Sequence, residues 1–81
     1  MYFVYILYSD SIKRYYTGST HDLGNRLREH NSGETKSLLT GIPWHIIWSK
    51  EVPTRSEAML LENKIKKRGA KRFLDDQSRG A

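Results

Sequence analysis

The sequence predicts an α+β fold in which a three-stranded antiparallel sheet is flanked by two longer helices and a short C-terminal helix. Three observations lead to this prediction. Residues 2–8 are seven consecutive β-forming residues without a strongly polar one. The next β-forming segment follows after only five residues, which is enough for a hairpin but too short for a parallel crossover. Two later segments carry apolar residues at the i, i+3, i+4, i+7 spacing of a helix.

The strands are predicted from their composition and from the breakers between them. Residues 2–8 are apolar on both faces, which is typical of a strand that is covered on both sides. Residues 9–13 form the predicted hairpin loop, and residues 14–19 form the returning strand. Residues 45–50 supply the third strand, after an irregular segment at residues 34–44 that contains a glycine and a proline. A segment this long in a small domain is often functional.

The register of the hairpin decides which tyrosines share a face of the sheet. If Ser9 faces Arg14, Tyr5 lies opposite Gly18. Tyr5 and Tyr16 are then diagonal neighbours on one face, and the glycine leaves space beside them. A register shifted by one residue would place the two tyrosines on opposite faces.

The first helix has an unusual inward face. Thr20 is its predicted N-cap, Asp22 lies in its first turn, and residues 31–33 end it. Gly24 within this helix predicts a close approach of the backbone to a neighbour. The inward positions are Leu23, Arg26, Leu27 and His30. An inward arginine needs an anion, which is either a carboxylate of the fold or a substrate phosphate.

The second helix begins with the capping-box pattern of residues 54–57 and ends at Gly69. Its inward positions are Ala58, Leu61, Glu62 and Ile65. Glu62 is therefore a carboxylate on an apolar face, and it matches the inward arginine of the first helix. Residues 70–74 form the predicted short third helix, and residues 77–81 are expected to fray.

Length, charge and composition restrict the class of protein. The 81 residues make one small domain, residues 1–81, with a thin core. The chain has no cysteine, which excludes disulfides and thiolate zinc sites and agrees with a cytoplasmic location. We find no pattern of a signal peptide or of a membrane span. The net charge of +5 favours an anionic partner, nucleic acid before a membrane surface. We expect a monomer.

Positive charge is concentrated in the second helix and just after it. Such a cluster is either a solvated helix face or a contact with a DNA backbone, and the sequence leaves both interpretations open. Its members are Lys64, Lys66, Lys67, Arg68, Lys71 and Arg72. Lys36, Ser37 and Thr40 of the irregular segment are further candidates for phosphate contacts.

Five side chains are candidates for chemistry, and two interpretations compete. In the structural one, Arg26 and Glu62 form a salt bridge, and the tyrosines and His30 are ordinary core or rim residues. In the catalytic one the site is a phosphodiesterase: Glu62 binds a divalent cation, Arg26 holds the scissile phosphate, and Tyr5 or Tyr16 relays a proton. The histidine spacing does not suit zinc, and the glycines do not form a phosphate loop.

Six short motifs occur in a fixed order along residues 2–74: Val4-Tyr5-Ile6, Tyr16-Thr17-Gly18, Asp22-Leu23, Arg26-Leu27, His30-Asn31 and Glu62. In order and spacing they resemble the GIY-YIG endonuclease superfamily, in particular its small stand-alone bacterial members. The chain is also similar to the catalytic domain of the excision-repair incision nuclease. Its first motif lacks the leading glycine and its second has threonine for isoleucine, but both keep the tyrosine.

The resemblance implies a divalent-metal-dependent endonuclease that hydrolyses DNA phosphodiester bonds with one Mg²⁺ or Mn²⁺ ion. Tyr5 and Tyr16 match the motif tyrosines, and we expect Tyr5 to be the general base. Arg26 matches the phosphate-clamping arginine, His30 the helix-borne histidine, and Glu62 the sole protein ligand of the metal. We expect low sequence specificity and a role in DNA repair or processing. The alternatives are a nucleic-acid-binding module with little or no catalysis and, less favoured, a protein-interaction adaptor.

Overall fold

A computed structural model describes residues 1–34 and 36–79, apart from the side chains of Lys36 and Ser37. It confirms the predicted α+β fold with a three-stranded antiparallel sheet and three α-helices. Among the described helices, none is long and apolar enough to cross a membrane. In chain order the elements are β1 (Tyr2–Ser9), β2 (Arg14–Thr20), α1 (Leu23–Asn31), a 3₁₀ helix (Lys36–Gly41), β3 (Trp44–Val52), α2 (Arg55–Arg68) and α3 (Ala70–Arg79).

The strand β1 lies in the centre of the sheet, between β2 and β3. This position explains why its sequence is apolar on both faces, since helices cover both sides of it. The predicted hairpin register is confirmed, with Ser9 opposite Arg14 and Tyr5 opposite Gly18. Tyr5 and Tyr16 therefore share one face of the sheet.

The sheet separates two small hydrophobic cores. On one face Val4 and Ile6 pack with α2 and α3, and the buried partners are Val52, Ala58, Ile65 and Phe73. On the other face Tyr5 and Leu7 pack with α1, the 3₁₀ helix and the start of β3, where the buried partners are Leu38 and Trp44. The second core thus contains one of the tyrosines predicted to act in catalysis.

The start of the first helix differs from the prediction. Asp22 is the N-cap, and its carboxylate accepts a hydrogen bond of 3.1 Å from the Asn25 amide. Thr20 is the last residue of β2, and its hydroxyl accepts a hydrogen bond from the Asp22 amide. The prediction of Thr20 as N-cap is wrong because the strand continues through this residue and Asp22 caps the helix instead.

The C-terminal helix is longer than the predicted segment of residues 70–74, because α3 continues to Arg79. Residues 77–79 are therefore helical and not frayed, and residues 80–81 lie outside the described part. Phe73 is buried, and the Arg68 guanidinium donates to the Asp76 carboxylate at 2.8 and 3.0 Å. These tertiary contacts hold the helix beyond the point where its own sequence would end it.

The segment predicted to be irregular contains the 3₁₀ helix and is held at its end by Asn31. The Asn31 side-chain oxygen accepts from the Trp44 amide at 2.6 Å, and its amide group donates to the Trp44 carbonyl at 3.1 Å. The Trp44 indole donates to the Leu38 carbonyl at 2.9 Å. These bonds connect the end of α1 to the start of β3. The strand β3 is longer than predicted: it begins one residue before the predicted segment of residues 45–50 and ends two residues after it.

We predict that Gly18→Ala destabilises the protein by about 1–3 kcal/mol, the usual cost of overpacking. A Cβ atom at Gly18 would lie 2.6 Å from the Tyr5 hydroxyl oxygen, so the buried Tyr5 ring would have to move. The measurement is the free energy of unfolding in urea.

Gly24→Ala in α1 is the control for this prediction. The nearest atom to an added Cβ is an Asp22 carboxylate oxygen at 4.0 Å, so the predicted close approach of the Gly24 backbone is wrong. This variant should gain about 0.5–1 kcal/mol from helix propensity. Equal effects of the two alanines would contradict the steric explanation.

Candidate active site

Tyr5 of β1 and His30 of α1 form a buried pair. The Tyr5 hydroxyl and the His30 Nε2 atom are joined by a hydrogen bond of 3.2 Å. Only 2% of Tyr5 and 1% of His30 are exposed. His30 reaches this position because it lies on the inward face of α1, as its spacing predicts. Two of the five predicted site residues therefore contact each other directly.

Tyr16 completes an aromatic cluster around this pair. Its ring meets the His30 ring edge-on, with centroids 5.4 Å apart, and lies 6.4 Å from the Tyr5 ring. The Trp44 ring supports Tyr16 from the side at 6.4 Å. Edge-to-face contacts of this kind restrict ring orientation. The cluster therefore restricts the orientation of the Tyr16 and His30 rings.

Burial raises the pKa of Tyr5 well above its usual value, and the neighbouring Tyr16 raises it further. The positive charge of Arg26 opposes this effect, whereas the negative charge of Glu62 adds to it. Tyr5 is protonated at neutral pH in this arrangement, and it needs help from a nearby cation to act as a base.

Glu62 extends from α2 towards the end of β2, and both of its carboxylate oxygens have partners. Oε1 accepts a hydrogen bond of 2.7 Å from the Ser19 hydroxyl, and Oε2 pairs with the Lys66 ammonium group at 2.7 Å. The Glu62 side chain is 19% exposed. Ser19 directly follows Gly18, over which the Tyr5 hydroxyl lies. The carboxylate and the tyrosine therefore meet adjacent residues of one strand.

The structural interpretation, in which Arg26 and Glu62 form a salt bridge, is wrong. Arg26 pairs instead with Glu29, one turn along α1, at 3.6 Å. The Arg26 side chain is 42% exposed, so it is not a buried charge that the fold has to neutralise. An anion from solvent can reach this guanidinium, as a phosphate-binding role requires.

Arg26 lines a small open pocket of about 260 Å³ that we call the arginine pocket. Ser19, whose hydroxyl donates to Glu62, is one of the residues that line it. Its lining residues are Tyr2, Ser19, Thr20, His21, Arg26 and Arg55. Sequence reasoning missed Ser19 and Arg55. The signal for Ser19 was its place next to Gly18, whereas no feature of the sequence linked Arg55 to the first helix.

The residues at this site fit a single hard divalent cation. Within residues 1–34 and 36–79, no group of three or more His, Asp or Glu side chains could hold a metal. Mg²⁺, however, is often held by one or two carboxylates, with waters and substrate phosphates as its other ligands. Glu62 supplies such a carboxylate and Ser19 a neighbouring hydroxyl. Lys66 now occupies the Oε2 side of Glu62, so a bound ion would compete with its ammonium group.

The predicted nucleic-acid-binding residues fall into two groups. Lys66 and Arg68 have carboxylate partners within the protein, namely Glu62 and Asp76. The other residues of α2 and α3 in this set, Lys64, Lys67, Lys71 and Arg72, are exposed. The side chain of Lys36 lies outside the described part of the structure. The basic surface available to a phosphate backbone is therefore centred on Lys64, Lys67 and Lys71.

We predict that acid weakens the folded state through His30. Burial lowers the pKa of His30, and Arg26 lowers it further, although Glu29 opposes this. The unfolded chain, with a histidine pKa of about 6.5, then binds a proton more readily than the folded protein. The contribution of His30 is complete above about pH 6.5 and is lost as the pH falls through the folded pKa. Thermal midpoints between pH 7.5 and 5 should therefore fall less in His30→Gln than in wild type. Parallel curves would contradict this.

Comparison with known families agrees with the geometry of the site. The family model described as the GIY-YIG catalytic domain matches residues 1–74, which is most of the chain. No curated protein and no solved structure gives a significant match. The matched residues include both strands of the hairpin, α1 and α2, and with them all five predicted site residues. The chain therefore belongs to the GIY-YIG family, and its catalytic domain indicates a nuclease-type function.

Proposed function

We propose that this protein is a divalent-metal-dependent endonuclease that hydrolyses DNA phosphodiester bonds with low sequence specificity, in DNA repair or processing. The observation that supports it best is the meeting of Tyr5 and Glu62 at the adjacent residues Gly18 and Ser19. A proton-transfer group and an oxygen ligand for a cation thereby adjoin neighbouring residues of the edge strand β2. The partly exposed Arg26 adds a group that can hold phosphate.

In the proposed mechanism, Arg26 binds an oxygen of the scissile phosphate and offsets its negative charge. The Tyr5 oxygen takes a proton from the attacking water, while the Tyr5 hydroxyl proton moves to His30 Nε2 at 3.2 Å. The water oxygen forms a bond to phosphorus, the P–O bond to the leaving strand breaks, and the leaving oxygen takes a proton from solvent. The lowered pKa of His30 keeps its ring neutral and therefore able to accept this proton. Glu62 and the Ser19 hydroxyl would hold the divalent ion, which would offset negative charge on the phosphate when bound. Tyr16 keeps the His30 ring in position.

A nucleic-acid-binding module without catalysis is the second candidate. It is favoured by the Lys66–Glu62 pair, because an ammonium group already neutralises the carboxylate that would bind the metal. The two candidates differ in metal dependence. The experiment that distinguishes them measures cleavage of labelled DNA and RNA substrates in the presence of Mg²⁺, of Mn²⁺ or of a chelator. Binding without cleavage under every condition would favour the module.

We predict that Glu62→Gln lowers the cleavage rate by about 100-fold or more, because it removes several kcal/mol of charge stabilisation by the metal. Glutamine keeps the shape and can still accept from Ser19. Lys66 loses its partner, but its side chain is 54% exposed, so the loss of stability should be at most about 1 kcal/mol. The measurements are the cleavage rate with Mg²⁺ and the thermal midpoint without it.

Glu57→Gln is the matched control for this experiment, because Glu57 lies in the first turn of the same helix and is exposed. It should keep the wild-type cleavage rate. Cleavage that survives in Glu62→Gln would remove Glu62 from the metal site. A loss of about 3–5 kcal/mol of stability would instead assign Glu62 to a structural ion pair.

We predict that replacing Lys64, Lys67 and Lys71 together by glutamine reduces the salt dependence of DNA binding. Each lysine that contacts a phosphate releases a counterion, so the slope of log K against log salt should fall by about 0.9 per lost contact. The loss should be similar for all DNA sequences. A triple variant at Lys13, Lys50 and Arg79 has the same net charge and should keep the wild-type slope. Equal slopes in the two triple variants would mean that the lysines serve solubility.

A further inference from the structure

The side chains that line the arginine pocket have the character of an anion site. Among the described residues, the lining includes two guanidinium groups, an imidazole and three hydroxyl groups, but no carboxylate. Ser19 and Thr20 already donate to Glu62 and to the Asp22 carbonyl. Groups that can donate to a ligand therefore come from Tyr2, His21, Arg26 and Arg55. Charged and neutral donors that converge on one open pocket suit an oxyanion.

Arg55 is the least expected of these groups. It is the first residue of α2, where the partial positive charge of the helix N-terminus disfavours a cation. Three other arginines, Arg26, Arg28 and Arg68, pair with carboxylates, but Arg55 has no such partner within residues 1–34 and 36–79. Two guanidinium groups on one pocket also repel each other unless an anion lies between them. A bound anion would offset both the repulsion between Arg55 and the helix N-terminus and the repulsion between the two guanidinium groups.

We propose that the arginine pocket binds a phosphate group of the nucleic-acid strand, with Arg55 as a second guanidinium beside Arg26. His21 and Tyr2 add donors at the rim. Ser19 lines the pocket, and its hydroxyl donates a hydrogen bond to the Glu62 carboxylate. The bound phosphate is therefore held next to the proposed metal ligand. The choice of nucleic acid as occupant rests on the proposed function, and the net charge of +5 agrees with it.

A tetrahedral phosphate suits this pocket because it offers oxygens in several directions. Arginine binds phosphate oxygens in pairs through its planar fork, which lysine cannot reproduce. The preference for arginine therefore supplies a second readout: Arg55→Lys should keep the charge of the pocket but lose part of the phosphate affinity. If Arg55 served only as a positive charge, Arg55→Lys would bind phosphate as tightly as wild type.

The first experiment measures phosphate binding without nuclease activity. Backbone amide resonances are followed by NMR while inorganic phosphate is added in the presence of a chelator. We expect saturable shifts of residues 19–21 and of Arg55, with about tenfold weaker binding in Arg55→Gln. The same spectrum reports whether Arg55→Gln is folded. We expect it to fold, because the N-cap hydrogen bond of α2 joins Thr54 to Glu57 and does not involve Arg55. Absence of saturable shifts at residues 19–21 would overturn the proposal.

The second experiment replaces free phosphate by a short single-stranded oligonucleotide, again with a chelator, and measures fluorescence anisotropy. Arg55→Gln should bind about tenfold more weakly than wild type, and Arg55→Lys about threefold. Arg79→Gln is the charge-matched control at the far end of α3 and should bind within about twofold of wild type. Equal losses in Arg55→Gln and Arg79→Gln would overturn the proposal. Phosphate shifts without any affinity for the oligonucleotide would overturn nucleic acid as the occupant.

The two proposals fail in different ways. A protein that shows Arg55-dependent phosphate binding but cleaves no substrate with any metal contradicts the nuclease and keeps the pocket. A protein that cleaves DNA but binds phosphate equally well with and without Arg55 contradicts the pocket and keeps the nuclease.

Discussion

The positions of Tyr5 and Glu62 in the candidate site depend on two adjacent residues of the edge strand β2. Gly18 has no side chain, so the Tyr5 hydroxyl can lie against its backbone on one face of the strand. Ser19 points to the opposite face, as successive residues of a strand do, and donates to Glu62. A shift of one residue in the hairpin would exchange these faces, so that both the space beside the Tyr5 hydroxyl and the Ser19 hydroxyl that donates to Glu62 would be lost. The register of β1 against β2 is therefore the constraint on which the site rests.

Sequence reasoning reached this register only on the assumption that Ser9 faces Arg14; in the folded protein, burial of an apolar face fixes strand pairing strongly. Helix ends were harder to predict, since several neighbouring residues can form the same cap. Thr20 and Asp22 are both good N-cap residues, and only the extent of β2 decides between them. The end of α3 depends on Phe73 and on the contact between Arg68 and Asp76, and neither is visible as a local pattern.

The candidate site was predictable in its residues but not in their partners. Helical spacing identified Arg26 and Glu62 as charges on otherwise apolar faces, and it suggested that they pair. Each has a closer partner within its own helix, at i+3 for Arg26 and at i+4 for Glu62. Local pairs need little additional ordering of the chain, so they form readily. Arg55 could not be found in this way, because the approach of α2 to the end of β2 is a tertiary feature.

The pair of Lys66 and Glu62 shows how a carboxylate can remain ready for a cation. The Lys66 ammonium group neutralises the charge of the Glu62 carboxylate at one oxygen, and Ser19 fixes the direction of the other oxygen. Because the Lys66 side chain is 54% exposed, their attraction is weak, on the order of 1 kcal/mol or less. A divalent ion carries twice the charge of the ammonium group, and Lys66 can turn to solvent when it is displaced.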